Sequence, residues 1–234
     1  MPRNGNSTPL NRKRALRAAV ELADAEGIDA VSMRGLASRL GVVPMALYKH
    51  VSNKDDLLDG MVDTLVADID RPDPAQGWKT AVRDTILSAR RTIVRHPWAR
   101  HVIETRTRRT PDVLGYMDAL AGAFLAGGFS AQLTHHVMHA LGHRIWGFSP
   151  EAFDEPEVAD DATPPADPAE LEAMVEHMSA TYPSITAITL ATIDGDLSRL
   201  GEGCDEQFEF EFALDLLLDG FERLHEAGWS LANR

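Results

Sequence analysis

Residues 32–58 read SMRGLASRLGVVPMALYKHVSNKDDLL, and the rest of the chain is understood from this stretch. Ser32 can cap a short helix running to Leu40, Gly41 can supply a left-handed turn, and Pro44 opens another short helix through about Val51. Ser52 and Asp55 form a capping-box-like pair for a longer helix reaching about Ile69. Leu36, Ala37 and Leu40 give one short helix an apolar face, and Leu47 and Val51 give the next one another, so those faces must meet. What stays outward on the second is Pro44, Met45, Ala46, Tyr48, Lys49 and His50: donors, one aromatic ring and small apolar tips, with no acid. A face without carboxylates suits a phosphate-lined major groove. Arg34, at the start of the preceding helix, and Lys54, just past the end, can reach phosphates on either side. The same pattern would also suit a small helical bundle with a solvated face.

Upstream, Thr8 and Pro9 read as a cap and first-turn proline, and Leu16, Ala19, Val20 and Ala23 recur at helical spacing until Gly27. That predicts a helix over 9–26. Three short helices in 54 residues, with Gly41-Val42-Val43 between the second and third, have the proportions of a helix-turn-helix. The residues that carry this pattern resemble the DNA-binding signature of the TetR family of bacterial transcriptional regulators. They are Leu36-Ala37, Leu40-Gly41-Val42, Leu47-Tyr48 with His50, and Asn53-Lys54 with Leu57-Leu58. The resemblance covers about the first 60 residues. It implies phosphate contacts from Arg34, Tyr48, His50 and Lys54, and groove contacts from Pro44, Met45, Ala46 and Lys49. Because the tip Pro44-Met45-Ala46 has almost no hydrogen-bonding side chain, its base readout is expected to be apolar contact with thymine methyls.

Charge divides the chain in the same place. Residues 1–54 hold nine Lys/Arg against four acids, a balance of +5, while the whole chain of 234 residues carries -13, which leaves -18 for the remainder. Phosphate attraction is local, so a basic module on an acidic body fits a nucleic-acid partner better than the average suggests. A frayed basic terminus would give the same numbers. With 44% hydrophobic and 25% charged residues the chain is an ordinary globular one, which excludes a wholly disordered or collagen-like protein. No apolar run is long enough to span a membrane and the start is polar and basic, so a cytoplasmic protein without membrane contact is expected. Cys204 is the single cysteine, which excludes an internal disulfide and a zinc ribbon.

Beyond Arg71-Pro72-Asp73-Pro74 further helices are expected at about 76–95, 97–107, 111–127, 130–148, 168–181 and 205–227. The expected fold is all-α: a helix-turn-helix domain over 1–54 and a larger helical domain over 55–234. Residues 149–168 hold five prolines and seven acids with no Lys or Arg, a composition read as a flexible acidic loop. Residues 185–193 (ITAITLATI) suit a helix or a strand.

From Phe208 to Leu224 the apolar residues sweep about 240° of helical arc, whereas a surface helix needs only about 100°. Two buried faces follow, one in the chain's own core and one against a twin subunit, with Phe210, Leu214, Leu217, Leu218 and Phe221 as the expected dimer contacts. Complete burial in one monomeric core is the other reading. The resemblance adds a four-helix dimer interface built from the last helix and an earlier one, and a two-fold operator also demands a dimer.

On helix 130–148, His135, His139, His143 and Trp146 share one side, with His136 beside them. Two such imidazoles could hold one metal, but without an acid or cysteine the motif is weak, and neither metal nor cofactor is expected. The patch suits a dimer contact or a pocket wall. Trp98, His101, Met117, Phe124, Met138, His139, Trp146, Met174 and Met178 together could line a pocket for a small, mostly apolar organic effector. Each is also an ordinary core residue. The sequence holds no nucleophile elbow, Walker loop or dinucleotide fingerprint. The function expected is a ligand-responsive transcriptional regulator, a repressor in type, that binds double-stranded operator DNA as a homodimer. The alternatives are a histidine-metal hydrolase and a helical interaction scaffold without DNA affinity.

Overall fold

Asn11, in extended backbone, accepts the amide of Arg14 at 2.8 Å and starts α1 (Arg12–Glu26). In the computed structural model, which describes residues 9–146, 167–200 and 205–233 (side chains at 143–146 and 233 excepted), Pro9 lies ahead of this helix. The expected cap, Thr8, is outside the described residues. Asn11 takes the role because its side-chain oxygen reaches an amide that the first turn leaves without a partner.

Ser32 accepts the Gly35 amide at 3.0 Å and opens α2 (Met33–Leu40), and Gly41 closes it at φ 66°. Pro44 begins α3 (Pro44–Leu47), which is shorter than the helix to Val51 that spacing suggests. The amides of His50 and Val51 both return to the Leu47 carbonyl, at 2.8 and 2.9 Å, so the ladder tightens and stops there. α4 (Lys54–Ala67) is capped by Asn53, whose side chain accepts the Asp56 amide at 2.8 Å, while the Asp56 carboxylate accepts the Ser52 amide at 2.7 Å. This Asn53–Asp56 capping pair, whose carboxylate takes the Ser52 amide, sits one residue later than the Ser52–Asp55 pair expected, since asparagine caps at least as well as serine.

The chain continues through α5 (Trp78–Arg95), α6 (Trp98–Thr105), α7 (Pro111–Ala126), α8 (Ala131–Trp146), α9 (Pro168–Thr181), α10 (Pro183–Thr192) and α11 (Glu206–Glu226). The fold is all-α, and the β-branched segment that suited either state is α10. Its opening Pro183 is pre-set for a first helical turn, and among the described residues there is no strand for it to pair with. Most of the acidic, proline-rich stretch 149–168 lies outside the described residues, as does Cys204.

Packing separates two compact units, Met1–Ser149 with Glu211–Arg234, and Pro150–Phe210. In the second, α9 and α10 pack together across the bend at Tyr182, leaving Ile185 and Ile188 exposed. In the first, Leu16, Leu36, Leu47, Leu57 and Met61 form the interior of the N-terminal helices. α1 and α4 approach so closely that a Cβ at Gly60 would lie 2.6 Å from a methyl of Leu16. Further along, fully buried Phe124 is ringed by Trp78, Phe129 and Phe221, with centroids at 5.5, 5.2 and 6.4 Å.

A seam of ion pairs joins α5 to α11. Lys79 holds Asp219 and Glu222 at 2.7 and 2.6 Å, and Arg83 holds Glu211 and Asp215, both at 2.6 Å. Each pair is partly exposed and contributes little alone, but four carboxylates meeting two cations on successive turns fix the register and the rotation of α11.

The left-handed turn gives the first prediction. Gly41→Ala puts a side chain at φ 66°, which should cost about 1–2 kcal/mol and lower the thermal midpoint while the far-ultraviolet spectrum stays helical.

Candidate nucleic-acid interface

The turn after α2 and the single helical turn of α3 thrust apolar side chains into solvent, with Val43 68% and Met45 71% exposed. Arg34, Pro44, Tyr48, Lys49 and Lys54 are likewise exposed, and Ala46 and His50 are half-buried. Leu47 and Val51, between them, are buried and anchor the segment. The expected DNA-contact residues are therefore all accessible, and no carboxylate lies among residues 31–54.

This segment is held from behind by Arg12 of α1. Its guanidinium donates to the His50 carbonyl at 3.0 Å and to the Asp56 carboxylate at 2.7 Å. The side-chain bond from Arg12 holds the Asp56 carboxyl below its ordinary value, and the Ser52 amide assists. One cation thus fastens the end of the recognition segment to the first turn of α4.

α6 and the loop beyond it are fastened to the same helices at separate points. The Trp98 indole N–H donates to Asp24 of α1 at 2.7 Å, and His96 Nδ1 lies 2.8 Å from the same oxygen. Arg106 reaches Asp55 and Asp59 of α4 at 3.0 and 3.5 Å, and the Thr110 hydroxyl donates to Asp63. Burial raises the Asp63 carboxyl above its ordinary value, against the pull of that hydroxyl.

The expected pocket residues divide. Trp98 is buried, but its one polar atom is taken by Asp24, so it is a tie between helices. Phe124 is enclosed by the aromatic cluster, with no exposed surface. Met117 and Met138 are half-buried in the first unit, and Met174 and Met178 half-buried in the second, whereas His101 and His139 are exposed. The Trp146 and His143 side chains lie outside the description. His135 and His139 have ring centroids 4.6 Å apart; among the described residues no group of three or more His, Cys, Asp or Glu is placed to hold a metal.

The expected dimer contacts divide. Leu214, Leu218, Phe221 and Phe210 are buried within the protomer and Leu217 is half-buried. The apolar residues of α11 that reach solvent are Phe208, Phe212, Leu216 and Leu224. Glu211, Asp215, Asp219 and Glu222 face α5, and that sets the rotation of the helix.

Sequence reading did not single out Arg12, Asp24, Asp56 or His96. Arg12 stands in the run Arg12-Lys13-Arg14 with nothing to separate it from its neighbours, and Asp24 meets partners more than 70 positions away. Only Asp56, three residues after Asn53, carried a local signal, that of a capping pair.

A one-turn recognition element with a cationic, carboxylate-free surface, carried on a three-helix module beside a larger helical body, defines a helix-turn-helix DNA-binding protein. Residues 15–61 match the model for bacterial regulatory proteins of the tetR family, and residues 71–225 match the Tetracyclin repressor-like C-terminal domain. The chain belongs to the TetR family of bacterial regulatory proteins. An HTH-type transcriptional regulator of Saccharopolyspora erythraea is 31% identical over 153 residues, covering 61% of this chain and 65% of that protein. The HTH-type transcriptional repressor DrrR1 of Streptomyces coeruleorubidus is 27% identical over 95% of this chain and 81% of its own length. Among solved structures, ActR of Streptomyces coelicolor in complex with (S)-DNPA superposes with a TM-score of 0.67 at 25% identity, covering 93% of this chain and all of that one. No helix among the described residues is long and apolar enough to cross a membrane.

The Arg12 clasp should be visible in stability. Arg12→Ala is expected to cost about 1–2 kcal/mol, because both a buried-end carbonyl and a carboxylate lose their donor. Since the folded-state value of Asp56 lies below the ordinary 3.8, its stabilising contribution is complete above that value and disappears as pH falls through the lowered one. The gap between acid melts of the wild type and Arg12→Ala should therefore narrow below the carboxylate range to what the His50 carbonyl bond contributes, and a constant gap at every pH would contradict the assignment.

Proposed function

We propose that the chain acts as a homodimer on a two-fold operator, with residues 1–54 reading DNA and residues 55–234 carrying assembly and the effector site. The single observation that carries the DNA reading is the exposed, acid-free surface of α3, with Met45 at its tip. In this reading Pro44, Met45 and Ala46 touch base edges and thymine methyls, Lys49 reaches a guanine edge or a phosphate, and Arg34, Tyr48, His50 and Lys54 hold phosphates.

The dimer contact falls on the outward side of α11. Leu216 and Leu224 are 54% and 40% exposed, and Phe212 lies one turn before Leu216. An apolar face of that length on a helix already locked to its own core by the α5 seam fits an isologous contact with a second copy.

The effector is a mostly apolar organic molecule held by few hydrogen bonds in the helical body, in keeping with the half-buried Met117 and Met138 and with the small-molecule complex named for ActR. Its differential affinity for two arrangements of the dimer sets operator occupancy. α6 is suited to convey the change, because Trp98 grips α1 at one end and Arg106 grips α4 just beyond the other.

Two experiments test this reading. With a duplex selected from a random library, Lys54→Ala should weaken binding to all sequences and reduce the salt slope by about 1, Met45→Ala should change base preference, and Tyr48→Ala with Lys49→Ala should abolish specific binding. Tight specific binding by that double variant would remove the assignment. In sedimentation, Leu216→Glu should give a folded monomer, whereas Leu214→Glu, inside the protomer, should unfold the chain. A folded Leu216→Glu dimer with wild-type affinity would place the interface elsewhere.

A further inference from the structure

The recognition surface is not the only cationic feature of the N-terminal helices. A cleft of about 530 Å³, open to solvent, lies between the first half of α1 and the end of α2, lined by Lys13, Arg14, Arg17 and Arg39 with Asn11 and Glu21 among the remaining residues. Lys13, Arg17 and Arg39 bring like charge to one cleft, and an anion joining them relieves that repulsion. The positive end of the α1 dipole, whose first amides Asn11 only partly satisfies, adds to the same field. Arg39 has a carboxylate, Glu26, at 3.8 Å, a long contact on an exposed pair that leaves its charge largely uncompensated.

We infer that this cleft binds the phosphodiester backbone of DNA flanking the bases read by α3, extending the contact surface beyond the helix-turn-helix. The size and character of the cleft favour a polyanion over a small ligand. Sites for small molecules enclose most of their ligand and are mainly apolar, whereas this one is shallow, open and cationic. Its position agrees: Leu40, on its wall, runs directly into the turn that carries Val43 and Met45, and Arg12, adjacent to Lys13, holds the far end of the recognition segment. In this proposal the backbone of a duplex seated on α3 continues past Arg17 and Arg39. The inference rests on the chain's being a DNA-binding regulator, and the test separates the two.

The probe is a duplex selected from a random library by the full wild-type chain, used in two lengths: trimmed to the bases whose methylation blocks binding, and extended by about one helical turn at each end. On the extended duplex, Arg17→Ala with Arg39→Ala should lower the slope of log affinity on log salt by about 1–2, since each neutralised phosphate contributes about 0.9. On the trimmed duplex the same variant should match the wild type. Glu21→Gln, which removes the one carboxylate lining the cleft, should strengthen binding to the extended duplex only, and it gives an independent reading if the double variant folds poorly. Equal slopes for all proteins on the extended duplex would overturn the proposal. So would micromolar, Arg39-dependent binding of inorganic pyrophosphate that leaves affinity for the extended duplex untouched, since the cleft would then serve a free anion. Failure of the wild type to bind even the trimmed duplex would instead overturn the regulator reading, and this proposal with it.

Discussion

The guanidinium of Arg12 is the interaction on which the N-terminal architecture depends. A recognition element of one helical turn cannot hold its own shape, because a nucleus of that length fixes more torsions than it gains hydrogen bonds. Arg12 supplies what α3 lacks. By taking the carbonyl of His50 and the carboxylate of Asp56 together, it ties the end of the recognition segment to the start of α4. The absent side chain at Gly60 lets α1 lie close enough for that reach. Buried Leu36, Leu47 and Leu57 fill the space beneath.

The body is arranged by a different device. Its interior is an aromatic cluster around Phe124, which excludes water but has no strong rotational preference for a long apolar helix packed against it. The four carboxylates of α11 supply that preference by meeting Lys79 and Arg83. They turn Leu214, Leu218 and Phe221 inward and leave Leu216 and Leu224 outside. Surface charge is weak as a source of stability, yet here it decides which apolar side is available for assembly.

Much of the N-terminal organisation was legible because its signals are local. Ser32 as a cap, Gly41 as a left-handed stop and Pro44 as a helix opener each act on neighbours within four residues, and each stands where the structure uses it. Capping was misread only among candidates a few residues apart, Thr8 against Asn11 and Ser52 against Asn53. The orientation of α11 was not legible. A carboxylate stripe opposite leucines ordinarily marks solvent, and nothing near Asp215 in the chain points to Arg83, 132 positions away. The bond of Trp98 was hidden for the same reason: its partner Asp24 lies on a helix 74 positions earlier. Features fixed by contact between distant segments leave no periodicity to read.

The bond between Trp98 and Asp24 also has an optical consequence. An indole buried at its ring, with its N–H pointing at a carboxylate, emits from a polarised environment that changes as soon as the donor and acceptor separate. Of the tryptophans whose side chains are described, Trp78, Trp98 and Trp229, this is the one bonded across the contact between α1 and α6. The protein therefore carries a native chromophore where α6 meets α1. With the other three tryptophans replaced by phenylalanine, the emission maximum would follow the state of that joint in real time, without a label.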